Sequence, residues 1–213
     1  MNTDRTVTPS AQLPQDLHVH TTFSTADSAV VPEQTPERVA EIRHARVLGI
    51  SDHLETLVDC FDSYARRARS LDLRVGIEVN GAQWVSAALE LPVEYYLYHC
   101  RDRNEDYRGA ERLLGTGRPL IIAHPVVLQT DLDRVPEDCL IEINNRYVWR
   151  GDWESALRPY LQRFRFVIGS DAHQPHWLNQ TVARALASRL GIEETILFDE
   201  LAVLSPAGMA AAG

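Results

Sequence analysis

The sequence has few cysteines and no long apolar run. Its three cysteines, Cys60, Cys100 and Cys139, form no CxxC pair. An odd and low cysteine count is typical of a reducing compartment and excludes a disulfide framework. No segment approaches the roughly 18 apolar residues of a membrane span, and the polar N-terminus does not resemble a signal peptide. We therefore expect a cytoplasmic protein with no membrane partner.

Positive charge is also scarce. The 213 residues include 21 basic and 30 acidic side chains, which gives a net charge of −9. No basic run is present, so long nucleic acid and anionic membranes are excluded as partners bound by bulk charge. A small phosphorylated substrate remains possible, because bound metal ions can supply local positive charge. The oligomeric state is not indicated by the sequence.

No linker rich in glycine, serine or proline divides the chain. We predict one domain over residues 16–204, with a loose N-terminal tail at 1–15 and a loose C-terminal tail at 205–213. A chain of this length buries enough surface to form a core without disulfides or a structural metal.

Short apolar runs alternate with segments of helical spacing. The runs predict seven buried parallel strands at Leu17–Thr22, Ala45–Ser51, Leu73–Val79, Val93–Tyr98, Pro119–Ala123, Leu140–Asn144 and Phe166–Gly169. Helices are predicted at Thr35–Arg43, Phe61–Leu71, Ala82–Leu89, Asn104–Leu114, Asp152–Arg163 and Asn179–Leu190, with at most one short helix in Val126–Asp138. This α/β alternation favours a closed barrel, although the pattern alone leaves an open sheet possible.

Each predicted strand ends in side chains that can bind a metal. They are His18 and His20, Asp52 and His53, Glu78, His99, His124, Glu142 and Asn144, and Asp171 and His173. The carboxyl ends of parallel barrel strands meet at one mouth, which would bring these groups together. Such a set exceeds the needs of one ion, so we expect a polynuclear centre of divalent cations bridged by Glu78.

The ordered motifs DLHVHTTFS, GISDH, GIEVN, IIAHP and GSDAH resemble those of the PHP (polymerase and histidinol phosphatase) family. The resemblance extends from Asp16 to about His173. It implies a distorted (β/α)7 barrel of parallel strands with an active site at the strand carboxyl ends. It also implies a trinuclear metal centre that hydrolyses phosphoesters.

The resemblance further implies a ligand set for each ion. The first ion would be bound by His18, His20, Glu78 and Asp171, the second by Glu78, His99 and His124, and the third by His53, His173 and one residue of the loop after the first strand. In that loop Ala26 stands where the family often has a histidine, so we expect the adjacent Asp27 to be the ligand. We expect Asp52 to lie behind the ligands and to orient a ligand histidine.

These expectations predict a metal-dependent phosphoric ester hydrolase that acts on a small phosphomonoester. A metal-bridging hydroxide, held by Glu78 and Asp171, would attack phosphorus. Two or three ions of zinc, manganese or iron would suit the ligands, which do not distinguish these metals. An arginine should bind the phosphate. Arg146 and Arg150 follow the sixth strand, where histidinol-phosphatase relatives tend to carry such an arginine, and Arg101 and Arg103 are the alternatives.

Three other functions stay open. The chain could be a nucleotide phosphodiesterase or exonuclease-like hydrolase, a hydrolase of C–N bonds, or a non-catalytic metal-binding module. Outside the proposed site, we expect His44 to be a solvated residue on the first helix. Cys100 should be a packed thiol that points away from His99.

Overall fold

A computed structural model describes residues 12–198 of the chain. Its seven strands are β1 (Leu13–Asp16), β2 (Ala45–Ile50), β3 (Arg74–Val79), β4 (Tyr95–Tyr98), β5 (Leu120–Ile122), β6 (Leu140–Asn144) and β7 (Arg165–Gly169). Each strand pairs in parallel with the next, in the order β1 to β7. The sheet curves into a nearly closed barrel with one unsealed seam, between β1 and β7, which confirms the predicted distorted (β/α)7 architecture.

Helices connect the strands and cover the outside of the barrel. They are α1 (Pro36–Ile42), α2 (Leu54–Leu57), α3 (Phe61–Ser70), α4 (Val85–Leu89), α5 (Asn104–Leu114), α6 (Pro125–Leu128), α7 (Trp153–Leu157) and α8 (Thr181–Leu190). The Thr35 hydroxyl caps α1 by accepting from Arg38 N, and Pro36 occupies its first turn. None of the helices within residues 12–198 combines the length and the apolar character needed to cross a bilayer.

Two helical segments differ from the prediction. The helix expected over Asp152–Arg163 ends at Leu157 and continues as a 3₁₀ turn, Arg158–Tyr160. Pro159 accounts for the break, since it has no N–H for an α-helical bond and its ring clashes with the preceding turn. The segment Val126–Asp138 was expected to hold one short helix at most, but α6 and a second 3₁₀ turn, Leu132–Arg134, both contribute to it.

The first strand lies earlier in the chain than predicted. It was expected at Leu17–Thr22, whereas β1 ends at Asp16 and uses three residues of the predicted loose tail 1–15. Pairing of Gln15 with Val47 sets its register against β2, a non-local constraint that the local pattern does not contain. Beyond Asp16 the chain leaves the ladder and carries its histidines into the barrel mouth. Residues 1–11 of that tail and the C-terminal tail at 205–213 lie outside the described residues.

The barrel interior holds a compact apolar layer beneath the metal-capable side chains. It consists of Leu17, Val47, Tyr95, Leu97, Ile121, Ala123, Leu140 and Val167. Tyr95 is fully buried, lies against Gly49 and Gly76, and donates from its hydroxyl to Leu17 O at 2.8 Å. A larger apolar layer packs between the strands and the helices, so the floor of the mouth is supported from both sides.

The seam between β1 and β7 is closed mainly by side chains. Backbone bonds cross it only near the mouth, from Asp171 N to His18 O and from His20 N to Ala172 O. Lower down, the Gln180 amide donates to Gln15 O at 2.9 Å and to Ile168 O at 2.8 Å. Glu194 Oε1 also bridges the strands, accepting from Gln15 Nε2 at 3.1 Å and from Ile168 N at 3.3 Å. Side chains therefore join the two edge strands where the described part of the chain has no ladder between them.

Candidate metal centre

The mouth of the barrel brings all nine predicted ligands together. Seven of them are buried, namely His18, His20, Glu78, His99, His124, Asp171 and His173, and the other two, Asp27 and His53, are half-buried. They lie at or beyond the carboxyl ends of six strands, β1 to β5 and β7. The parallel topology therefore accounts for their convergence. Buried imidazoles and carboxylates in such a set are costly unless they pair with each other or with ions.

Three overlapping groups have the ligand atoms needed to hold an ion. In each, the atoms lie within 4.8 Å of one another: His18, His20 and Asp171; His18, Glu78 and His124; and His20, His53 and His173. These groups match the cores of the three expected ligand sets. They differ in that His18 also belongs to the second group and His20 to the third. His99 joins the second group through Nε2, which is 2.6 Å from Glu78 Oε1.

Glu78 lies at the centre of the cluster, at the end of β3. Its Oε1 is 2.6 Å from His99, 3.2 Å from His18 and 3.3 Å from His124. Its Oε2 is 3.3 Å from His20 Nε2 and 3.1 Å from His53 Nδ1. Burial alone would raise the pKa of this carboxyl, but the surrounding histidines hold the pKa well below its ordinary value. One ionised carboxylate thus contacts five imidazoles and is placed to bridge ions.

Asp27 reaches the cluster from the loop that follows β1. Its Oδ2 lies 2.8 Å from His173 Nε2 and 3.3 Å from His53 Nε2. Its Oδ1 accepts from Ala29 N at 2.8 Å, which fixes the turn and leaves the other oxygen for the histidines. Hydrogen bonds from His173 and His53 lower the pKa of Asp27. The structure therefore places Asp27, and not a histidine, beside the third group.

The imidazoles of the centre have strongly different proton affinities. Burial and the nearby His173 lower the pKa of His20 to about 3, so that ring is a neutral ligand at physiological pH. For His53, burial acts in the same direction, but Glu78 and Asp27 outweigh it and raise the pKa to about 9. These opposite shifts arise from the position of each ring relative to the carboxylates.

Glu142 belongs to the same cluster, although the sequence pattern indicated no specific role for it there. It is fully buried on β6, and its Oε1 lies 2.7 Å from His18 Nδ1. Its Oε2 accepts from His124 N at 2.8 Å and from Asn144 Nδ2 at 3.0 Å. Glu142 therefore orients two ligand residues from behind. The available signal was its strand position, since Glu142 and Asn144 are two apart on one face of β6.

Asp52 contacts no histidine ring directly, contrary to the simplest form of the prediction. Its carboxylate accepts from Thr21 N at 2.7 Å, from Thr21 Oγ1 at 2.8 Å and from Ser24 Oγ at 2.7 Å. Ser24 Oγ in turn lies 3.3 Å from His20 Nδ1. Asp52 thus reaches a ligand histidine only through Ser24, and its main contacts fix the loop that carries Asp27.

Of the candidate arginines, Arg146 alone contacts the cluster. Its Nη1 lies 3.3 Å from Asp171 Oδ1 and 3.0 Å from His173 Nε2. Arg150 is exposed, and its guanidinium lies over the rings of Tyr147 and Trp149. The two alternatives are engaged elsewhere: Arg101 donates to Asn80 Oδ1, and Arg103 pairs with the buried Asp106.

Two ligand residues have left-handed backbone conformations. His124 has a φ of 31° and Asp171 a φ of 53°. Such conformations are unfavourable for residues with a side chain, and they are often found at functional sites. At His124 the conformation turns the chain from β5 into α6. The chain thus turns sharply at both residues, just after β5 and β7 end at the mouth.

Two expectations outside the centre have different outcomes. His44 follows α1 and is not solvated: its side chain is 8% exposed, and its Nε2 lies 2.7 Å from Asp16 Oδ2. The prediction of a solvated histidine was wrong because the local pattern could not place the buried Asp16 beside it. Cys100 is a packed core thiol, as predicted.

No protein-family model matches the chain, and a search of curated proteins finds no match. The chemistry of the donor set is therefore the basis for inference. Imidazole nitrogens and carboxylate oxygens in overlapping groups suit divalent transition metals, and the ligand types by themselves do not select among zinc, manganese and iron.

Proposed function

We propose that the chain is a metal-dependent phosphoric ester hydrolase of the PHP family that cleaves a small phosphomonoester. The observation that carries this proposal is the position of Glu78, whose two oxygens lie within 3.3 Å of nitrogens from five histidines. A bridging carboxylate at the meeting point of three ligand groups suits two or three ions and exceeds what a single structural ion requires.

The residues fit divalent ions by donor type and by spacing. Ions bound there supply a water of lowered pKa, near 7, and positive charge for the phosphoryl oxygens. Glu78 and Asp171 would hold the ions from the buried side of the cluster. Asp27, His53 and His173 form the opposite side, nearer to solvent, where Asp27 and His53 are half-buried. A substrate phosphate would therefore approach from the side of Asp27.

We expect Arg146 to bind that phosphate. Its guanidinium already lies beside Asp171 and His173, at the edge of the ligand cluster. A phosphate is negatively charged and can accept paired hydrogen bonds from a guanidinium, as a carboxylate such as that of Asp171 can. Arg146 would orient the phosphoryl group, and the metal ligands would determine the direction of attack.

The first test is a count of metal ions per chain in protein purified without chelator. We expect two or three ions in the parent and a loss of more than one in Glu78→Ala, because Glu78 contacts ligands of all three groups. The matched control is Glu90→Ala, since Glu90 is an exposed carboxylate at the end of α4. That variant should keep the parental metal content.

A panel of phosphomonoesters, assayed with added manganese or zinc, then tests the reaction. Hydrolysis should require the metal, disappear in Glu78→Ala and show a raised KM in Arg146→Ala. One ion or none per chain, unchanged by Glu78→Ala and by added metal, would contradict the hydrolase proposal. The chain would then be a non-catalytic module. Cleavage of amides in place of phosphate esters would assign the site to C–N hydrolysis instead.

A further inference from the structure

A pocket of about 330 Å³ lies next to the metal centre but contains none of its ligands. It is lined by Asn145, Arg146, Trp149, Arg150, Ser170, Trp177 and Asn179. Residues 145–150 follow β6, and Trp177 follows β7, so the pocket opens at the same edge of the barrel as the cluster. Its volume is at the lower end of the range for small-molecule sites.

The pocket and the metal centre share Arg146. The Arg146 guanidinium contacts Asp171 and His173 on one side and lies 5.5 Å from the centre of the Trp177 ring on the other. The Trp177 ring centre is itself 6.3 Å from that of His173. A phosphoester with its phosphate at Arg146 therefore has space for its leaving group in this pocket.

Two indole rings, those of Trp149 and Trp177, line the pocket. Trp149 is 69% exposed, although tryptophan is usually largely buried. The Arg150 guanidinium lies 4.6 Å from the centre of the Trp149 ring and 5.1 Å from that of Tyr147, an arrangement that holds Trp149 in place. The pocket is thus lined by one solvent-exposed indole, Trp149, which the Arg150 guanidinium contacts, and by a second indole, Trp177.

The groups of the lining favour a flat ring at the two indoles. The lining includes two arginines and no acidic side chain, in a chain whose net charge is −9. The oxygens of both amides already accept hydrogen bonds: Asn145 Oδ1 from Val182 N at 3.0 Å, and Asn179 Oδ1 from Asn145 Nδ2 at 3.3 Å. Hydroxyls packed against Trp149 and Trp177 would lose water without gaining partners from the indole faces, whereas an aromatic ring requires none there.

We propose that this pocket binds the leaving group of the substrate and that this group carries a flat aromatic ring of nucleobase size, packed against Trp149 and Trp177. The inference rests on the proposed function and names the substrate class of the same site. In the reaction, water supplies a hydroxyl to phosphorus, the ester P–O bond breaks, and the leaving oxygen takes the proton. The products are phosphate and the ring-bearing alcohol.

The test compares two esters that differ only in the ring, adenosine 5′-monophosphate and ribose 5-phosphate, on the manganese-loaded protein. Stacking of a base on an aromatic side chain changes affinity by roughly 5- to 150-fold. We expect a preference of that size in kcat/KM for the adenosine ester. Trp149→Ala and Trp177→Ala should each reduce the preference, and Trp149→Phe should retain most of it. Trp84→Phe, outside the pocket, is the matched control and should leave the preference unchanged.

A second measurement separates this inference from the hydrolase proposal. Adenosine, which has no phosphate, is titrated into metal-free protein and followed by tryptophan fluorescence. Binding that weakens in Trp149→Ala supports the ring pocket even if neither ester is hydrolysed, an outcome that would overturn only the proposed reaction. Equal kcat/KM for the two esters together with no adenosine binding overturns the pocket and leaves the hydrolase proposal intact.

Discussion

At the residue scale, the centre depends on carboxylates that hold the ligands as much as on the ligands themselves. His18 lies between Glu78 on one ring nitrogen and Glu142 on the other, at 3.2 Å and 2.7 Å. The contact with Glu142 fixes which nitrogen of His18 faces the centre. Burial opposes protonation of this ring, but Glu142 and its neighbouring carboxylates raise the pKa of His18 well above its ordinary value.

Glu142→Gln tests this positioning role. The amide keeps the size of the side chain but removes the charge that holds His18 and His124, so we expect metal affinity to fall by about 10- to 100-fold. Titration of zinc into the metal-free protein measures the change. Asp133→Asn, a change of the same kind at an exposed position, should have no effect. If Glu142→Gln keeps the zinc affinity of the parent protein, the charge of Glu142 is not needed to hold His18.

The convergence of the candidate ligands was predictable from the sequence, and the side chains that support them mostly were not. His18, Glu78 and Asp171 belong to short motifs at strand ends, so local pattern and parallel topology together place them. The contact between Glu142 and His18 joins residues 124 positions apart. A pair of that kind is set by barrel closure and side-chain packing, which no local spacing reports.

At the element scale, strand boundaries depend on pairing and interior volume. The alternation of Leu17 and Val19 favours a strand, yet the register of β1 against β2 ends the ladder at Asp16. The predicted bounds of β6 and α5 agree with the structure because their local patterns and tertiary contacts act together. Inside the barrel, the glycines of β2 and β3 provide the space that Tyr95 fills.

Gly76→Ala should destabilise the fold. A Cβ at this position would overlap the Tyr95 ring, which is fully buried and tied to Leu17 O. Overpacking of this kind costs about 1–3 kcal/mol in the free energy of unfolding, measurable by urea denaturation. In a Tyr95→Leu background the same substitution should cost much less, because the overlapping ring is gone. An equal cost in both backgrounds would refute the steric explanation.

At the scale of the whole molecule, the barrel is nearly closed, and buried side chains join its two edge strands at the seam. Gln180 precedes α8 and bridges β1 and β7 through two backbone carbonyls. Its Oε1 accepts from Arg184 at 2.6 Å, which fixes the amide orientation. The fold class was predictable from seven alternating elements, but the closure device was not, because a single buried glutamine leaves no periodic signal.

Gln180→Ala should loosen the seam selectively. Loss of the donor to Gln15 O and Ile168 O should lower the free energy of unfolding by about 1–3 kcal/mol. Hydrogen exchange should accelerate at the amides of β1 and β7 and much less at those of β4, which lies across the barrel. Gln83→Ala, at an exposed position, serves as the control. Uniform acceleration in all strands would indicate a general loss of stability and not a seam defect.

The left-handed backbone conformations of His124 and Asp171 lower the stability of the fold. Glycine adopts this conformation without strain, so a chain selected for stability alone would gain about 1 kcal/mol or more from glycine at either position. The histidine and the aspartate are thus tolerated by the scaffold and not favoured by it. In a lineage that had lost the proposed metal binding, positions 124 and 171 should be among the first to drift, and they should drift toward glycine.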